Sequence, residues 1–139
     1  TAEEKHRVGR FIEQNPERKI EPILIDKGFT KAECLGFIAA VGIELPEMYK
    51  LGYQNNNCIG CPKGGMGYWN KIRVDFPETF DRMAKVERKL NAAINKRYEG
   101  KNRIRVFLDE LDPKAGNVLK EPDIQCGIFC MSEVPERAA

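Results

Sequence analysis

Hydrophobic residues recur at the three- to four-residue spacing of an amphipathic helix in three stretches of the chain. The first is residues 1–15, where Pro16 ends the pattern. The second is residues 30–41, which opens with a threonine–glutamate capping box, and the third is residues 77–97, which opens with a proline. The residues predicted to face a core are Leu35, Ile38 and Ala39 in the second helix, and Phe80, Met83, Ala84, Leu90 and Ile94 in the third.

Two short apolar runs predict extended segments between these helices. Residues 20–25 contain Pro22, which restricts a strand to the edge of a sheet. Residues 104–108, Ile-Arg-Val-Phe-Leu, are a second strand candidate. Residues 46–70 are instead rich in Asn and Gly and predict a tightly turning loop. A loop of this length is usually functional or disordered, and its cysteines and aromatic residues favour a functional loop.

Together these elements predict an α/β fold that is rich in helix and has only short strands. The chain has 139 residues, of which 42% are hydrophobic and 32% charged, as in one globular domain. We expect this domain to cover residues 1–134 and residues 135–139 to form a frayed tail. No apolar run approaches the ~20 residues of a membrane span, and no signal-peptide pattern opens the chain. We therefore expect a cytoplasmic protein without membrane contact, and a homo-oligomer is compatible with the sequence.

Positive charge is concentrated in the middle of the chain, although the net charge is only +2. Residues 63–105 contain 12 basic and 5 acidic side chains, whereas the segments before and after them are slightly acidic. This basic segment could meet a nucleotide, a sulfate group or a nucleic-acid backbone. A solvated helix face balanced by the acidic C-terminal segment is the alternative.

Four of the five cysteines form two close pairs, and Cys34 stands alone in the second predicted helix. The pairs are Cys58-Ile-Gly-Cys61 and Cys126-Gly-Ile-Phe-Cys130, with 64 residues between them. Two such pairs can complete a four-sulfur site, and sulfur ligands suit zinc or an iron–sulfur cluster. A redox-active dithiol and structural thiols without a ligand are the alternatives.

A glycine-rich segment follows the first cysteine pair and is a candidate anion site. Its backbone N–H groups could bind an anion with the help of a lysine, although it lacks the Gly-Lys-Ser/Thr ending of a Walker loop. Trp69 could stack on a base or anchor the core. The candidate residues for binding a substrate or anion are Lys63, Gly64, Gly65, Trp69, Asn70, Lys71 and Arg73.

Residues 48–73 contain the runs Asn57-Cys-Ile-Gly-Cys-Pro-Lys-Gly-Gly and Tyr-Trp-Asn-Lys-Ile-Arg73. This segment resembles the C-terminal part of phosphoadenosine-phosphosulfate (PAPS) reductase-like proteins. These belong to the adenine-nucleotide alpha-hydrolase superfamily, and the order of the other elements matches as well. The resemblance implies the helix-rich C-terminal portion of a Rossmann-like protein. It also implies that the nucleotide-binding loop, and with it the contacts to an adenine sulfonucleotide, lies upstream of Thr1.

The same resemblance implies a 4Fe-4S cluster on Cys58, Cys61, Cys126 and Cys130, because related adenylyl-sulfate reductases carry two separated cysteine pairs. The implied function is sulfonucleotide reduction or sulfur transfer. No catalytic residue is assigned, since Phe129 stands where the late motif of PAPS reductases has His. Two alternatives remain open: a zinc-stabilised module that binds nucleic acid or protein without catalysis, and a sulfur-transfer enzyme that modifies DNA or tRNA.

Overall fold

The computed structural model describes residues 1–122 and 124, so the predicted tail at residues 135–139 lies outside the described residues. The chain groups into two compact units, Thr1–Pro46 and a second that begins at Glu47. The first contains α1 (Lys5–Gln14), α2 (Ile23–Asp26) and α3 (Lys31–Ala40). The second contains α4 (Glu47–Lys50), α5 (Met66–Asp75), α6 (Pro77–Leu90), β1 (Asn95–Glu99) and β2 (Asn102–Val106). Helices with one small sheet confirm the broad α/β class.

In the first unit the two predicted helices are confirmed as α1 and α3. The predicted capping box begins α3: the Thr30 hydroxyl accepts from the Glu33 backbone N–H at 3.2 Å, and the Glu33 carboxylate accepts from the Thr30 N–H at 2.8 Å. No side chain in residues 1–46, all of which are described, is buried. Leu35 and Ile38 are half-buried as expected of a core-facing stripe, but Ala39 is exposed.

The strand predicted at residues 20–25 is wrong, because its second half belongs to the single helical turn α2, Ile23–Asp26. Pro22 has its φ fixed near the helical value, and its carbonyl accepts from the N–H groups of Ile25 and Asp26 at 2.8 and 3.0 Å. A proline that excludes a central strand is equally suited to begin a helix. The local sequence therefore left two structures open, and the helical one is adopted.

The long loop predicted over residues 46–70 is shorter than expected. One helical turn, α4, occupies its start, and α5 already begins at Met66. The intervening loop is thus closed at both ends by helices of the second unit.

Helix α5 lies at the centre of the core of the second unit. Trp69 and Ile72 have no exposed surface, and the Trp69 ring meets the rings of Tyr68 and Phe80 edge to face at centroid distances of 5.8 and 6.3 Å. The buried apolar residues of this core are Met48, Tyr53, Cys61, Tyr68, Trp69, Ile72, Phe80, Val106, Leu108 and Leu111.

The third predicted helix ends earlier than expected, at Leu90 instead of near Arg97. Asn91 takes a left-handed conformation with φ of 48°, and the Ala92 N–H returns to the Glu87 carbonyl at 3.0 Å, which closes the helix end. The stripe prediction holds for Phe80, which is buried, whereas Leu90 is 67% exposed.

The residues beyond this helix end form an antiparallel hairpin of β1 and β2. The hairpin turns at Gly100, whose φ of 61° suits the first position of a two-residue turn. Strand β2 confirms the predicted strand with bounds shifted to Asn102–Val106, and β1 was not predicted.

The buried carboxylate of Glu87 fastens the two ends of the hairpin to α6. Glu87 is 2% exposed, and its oxygens accept from the backbone N–H groups of Ile94 and Leu108 at 2.5 and 2.6 Å. These donors lie just before β1 and just after β2, so one side chain fixes both strands. Hydrogen bonds to a charged acceptor are among the stronger ones in proteins.

Replacing Glu87 with Gln should lower the free energy of unfolding by about 2–3 kcal/mol, because the amide keeps one acceptor but sets an NH₂ group against the second backbone N–H. Chemical denaturation followed by circular dichroism would measure this change. Asp81→Asn, on an exposed position of the same helix, is the control and should stay within about 0.5 kcal/mol of the wild type. Unchanged stability of Glu87→Gln would contradict the anchoring role.

Candidate functional site

The first cysteine pair lies in a tight turn that precedes α5. The Cys61 N–H donates to the Cys58 carbonyl at 3.1 Å, and Gly60 between them has a φ of 75°, which a glycine adopts without strain. Cys58 is exposed, whereas Cys61 is buried among the apolar residues of the core. One thiol therefore faces solvent and the other is held by the core.

The hydroxyl group of Tyr68 holds this turn in place through three hydrogen bonds. It accepts from the backbone N–H groups of Gly60 and Cys61, both at 3.0 Å, and donates to the Cys58 carbonyl at 2.9 Å. The ring is 4% exposed and packs edge to face on Tyr53. Burial raises the pKa of the Tyr68 hydroxyl, so it stays protonated and able to donate. The cysteine turn is thus organised by a core side chain.

The other cysteines do not complete a metal site within the described part of the chain. Cys34 is half-buried in α3, in the first unit. Cys126 and Cys130, the predicted second pair, lie outside the described residues. Among residues 1–122 and 124, no group of three or more His, Cys, Asp or Glu side chains could hold a metal ion. The four-cysteine site therefore stays a prediction.

The start of α5, where the sequence predicted an anion site, is occupied by a carboxylate from the protein itself. The oxygens of Glu121 accept from the backbone N–H groups of Gly67 and Tyr68 at 2.5 and 3.0 Å. A negative charge at a helix N-terminus is favourable, and these donors would otherwise lack a helical partner. The backbone N–H groups at the start of α5 thus bind a side chain of the same protein, Glu121.

Close backbone packing explains the glycines of this segment. A Cβ atom on Gly67 would lie 2.5 Å from the Val118 backbone nitrogen, and one on Gly64 would lie 2.0 Å from the Tyr68 ring. On the facing segment, a Cβ atom on Gly116 would lie 2.2 Å from the Gly67 nitrogen. Residues 116–121 can therefore approach α5 only because neither side carries a side chain there.

Three of the predicted anion-binding side chains on α5 have partners within the protein. The Asn70 amide donates to the carbonyls of Asp112 and Ala115, both at 2.8 Å. Arg73 donates to the Leu108 and Leu111 carbonyls at 3.2 and 2.8 Å, and Lys71 pairs with Asp75 at 2.9 Å. The contacts of Asn70 and Arg73 hold the segment after β2 against α5, whereas the Lys71–Asp75 pair lies within the helix.

The remaining predicted residues differ in how they could reach a ligand. Trp69 has no exposed surface, so a base could stack on its ring only if the core opened. Lys63 is exposed, two residues beyond the cysteine turn. A cavity of about 30 Å³ lies between Asn57, Tyr68 and Glu121, and this volume is enough for about one water but too small for a nucleotide.

Sequence reasoning missed Tyr68 and Glu121 as parts of this site. Tyr68 stands directly after the glycine-rich segment, and a polar ring seven residues from a cysteine was the available signal. Glu121 lies 53 residues from its Tyr68 partner, and no local pattern marks it as a helix cap.

Comparison of the chain with protein-family models, with curated proteins and with solved structures gives no match. No helix among the described residues has the length and apolar character needed to cross a membrane.

Tyr68→Phe should lower the free energy of unfolding by about 2–3 kcal/mol, because it leaves two buried N–H groups of the cysteine turn without their acceptor. Thermal or urea denaturation would measure the loss. Tyr98→Phe makes the same chemical change on a ring that is 62% exposed, and it should be nearly neutral. Equal effects of the two variants would argue against the role of the Tyr68 hydroxyl.

The stability of the protein should also depend on Tyr53 at alkaline pH. Burial, helped by the nearby Asp75 carboxylate, raises the pKa of Tyr53 above its ordinary value of 10. The folded state then keeps a proton that the unfolded state releases, so this contribution is complete below about pH 10 and is lost as the pH rises further.

The Tyr53→Phe variant removes that alkaline loss. Above about pH 10, the free energy of unfolding of the wild type should fall relative to that of the variant, by up to roughly 1.4 kcal/mol per pH unit. Urea denaturation at several pH values would measure it, and a difference that is constant with pH would contradict the predicted shift.

Proposed function

We propose that the Cys58–Cys61 turn is one half of a four-cysteine site, completed by Cys126 and Cys130, that binds a 4Fe-4S cluster. The protein would then act as part of a PAPS reductase-like enzyme, in sulfonucleotide reduction or sulfur transfer. The observation that supports this proposal is that Tyr68 contacts both the cysteine turn and Glu121, on the segment that precedes the second pair in the sequence. Its hydroxyl holds the cysteine turn, and its backbone N–H donates to Glu121, five residues before Cys126.

The position of Ile124, two residues before Cys126, also supports the proposal. Ile124 lines the same small cavity as Asn57, the residue directly before Cys58. Two residues span at most about 7 Å, so the link from Ile124 to Cys126 is short enough for the Cys126 thiol to approach the first pair. The spacing of four between Cys126 and Cys130 lets both sulfurs bind one cluster.

The donor chemistry fits this assignment. Four thiolates suit a 4Fe-4S cluster, which when bound supplies electron transfer or a site for sulfur chemistry. Zinc would use the same four ligands and is the alternative occupant. Tyr68 fixes the backbone of the first pair before any metal binds, so less ordering is needed when the site forms.

The substrate side of the proposal rests on the sequence resemblance. An adenine sulfonucleotide would be bound chiefly by the nucleotide-binding region that such proteins place upstream of this part. Lys63, exposed beside the cysteine turn, is the residue of the glycine-rich segment best situated to meet a sulfate or phosphate oxygen. Cysteines that bind a metal must stay reduced, as they do in the cytoplasm, so the proposal includes a cytoplasmic location.

Metal and acid-labile sulfide analysis of protein purified without oxygen, with a visible spectrum, tests the proposal. We expect iron and sulfide in near-equal amounts and a brown protein. Cys58→Ser should lose most of the iron, because one of four ligands is removed. Stoichiometric zinc in a colourless protein would instead support the zinc-stabilised module.

Cys34→Ser is the matched control, since it makes the same change in α3 outside the proposed ligand set. It should keep the iron and sulfide content of the wild type. Iron retained in full by Cys58→Ser, or lost in Cys34→Ser, would contradict the four-ligand assignment.

A further inference from the structure

The β1–β2 hairpin meets the core through its first pair, Asn95 and Val106, and most of its other residues are exposed. Register pairs Asn95 with Val106 and Lys96 with Arg105, and residues that pair directly share a face of the sheet. Asn95 and Val106 are buried, which defines the inner face. The other face, here called the outer face, consists of Lys96, Tyr98, Arg103 and Arg105, all of them exposed.

The outer face concentrates positive charge around one aromatic ring. Lys96 lies directly opposite Arg105, a like-charge pair that costs stability unless an anion lies between the two side chains. Tyr98, 62% exposed, lies directly opposite Arg103. Lys101 adds a further cation at the turn of the hairpin. The arrangement is unfavourable for the protein alone and favourable for a bound polyanion.

Few of these cations are neutralised within the protein. In the part of the chain that the structure describes, Lys96, Lys101 and Arg103 have no carboxylate partner. Arg97 pairs with Glu99 at 3.0 Å, but both lie on the inner-face register of β1. Arg105 donates to the Asn91 carbonyl at 3.0 Å, which orients its guanidinium and leaves its charge uncompensated.

A depression beside the outer face has the size of a small-ligand site. It has a volume of about 340 Å³ and is lined by Asn91, Ala92, Ala93, Arg103 and Arg105. Two guanidinium groups and an amide suit phosphate oxygens. Because Glu87 fastens both ends of the hairpin, this surface is held in a fixed position on α6.

We propose that the outer face of the hairpin binds single-stranded nucleic acid. Lys96, Arg103 and Arg105 would contact successive phosphates, and Tyr98 would stack on an unpaired base. Cations interleaved with an exposed aromatic ring are the features by which proteins bind single strands without sequence preference. A single strand is favoured over a duplex, because the bases of a duplex are stacked on one another and offer Tyr98 no free face. This inference concerns a separate surface and does not depend on the cysteine site.

Fluorescence anisotropy with a labelled oligothymidylate of about 20 nucleotides tests the proposal on the full chain. Wild type should bind, with an affinity that falls steeply as salt rises. Arg103→Glu should weaken binding about tenfold or more at low salt and reduce the slope of log affinity against log salt by about 0.7 or more. Tyr98→Thr, which keeps a good strand-forming residue, should weaken binding about tenfold with little change in slope.

The controls separate the hairpin from net charge and from general polyanion binding. Arg10→Glu makes the same charge change on an exposed position of α1 and should alter the affinity less than about twofold. Tyr98→Phe keeps a stacking ring and should bind like the wild type. Competing heparin, which has no bases, should be bound equally by wild type and Tyr98→Thr. Circular dichroism would confirm that each variant is folded.

Several outcomes would overturn the proposal. They are the absence of binding by the wild type at low salt, an equal loss in Arg10→Glu and Arg103→Glu, an unchanged affinity in Tyr98→Thr, and tighter binding to a duplex of the same length.

Discussion

The hydroxyl group of Tyr68 joins the cysteine turn to the core of the second unit, and the candidate site depends on this contact. A turn that leaves two N–H groups inside the protein needs an acceptor for them, and the Tyr68 oxygen serves both. The same residue donates its own backbone N–H to Glu121. Core packing of one ring therefore fixes the first cysteine pair and the approach of the segment that leads to the second.

Two carboxylates repeat this principle elsewhere in the unit. Glu87 accepts from the backbone at both ends of the hairpin, and Glu121 accepts from the first turn of α5. In each case carboxylate oxygens accept from backbone N–H groups that no helix or strand satisfies. Hydrogen bonds to a carboxylate are stronger than those between neutral groups. Side-chain oxygens thus fix both the cysteine turn and the hairpin to the same core: the Tyr68 hydroxyl fixes the turn, and the Glu87 carboxylate fixes the hairpin.

The positive charge of the middle segment has two different uses. On α5, the Arg73 guanidinium donates to the Leu108 and Leu111 carbonyls, so a charge that looked available for a substrate holds the fold together. On the hairpin, Lys96 and Arg103 remain exposed on the outer face. A count of charges along the chain could not distinguish these roles, because the partners of Arg73 lie 35 and 38 residues further along.

The sequence alone determined the features that depend on neighbouring residues. The capping box of Thr30 and Glu33, the start of α6 at Pro77 and the broad α/β class followed from local hydrogen bonding and periodicity. Tertiary structure decided the rest. Helix α6 ends at Leu90 because Asn91 turns left-handed and Glu87 binds donors at Ile94 and Leu108, seven and 21 residues away. The glycine-rich segment packs on Glu121 because the tertiary fold brings these distant segments together. The energy of such a contact depends on how deeply its polar groups are buried, and a local sequence pattern does not reveal that burial.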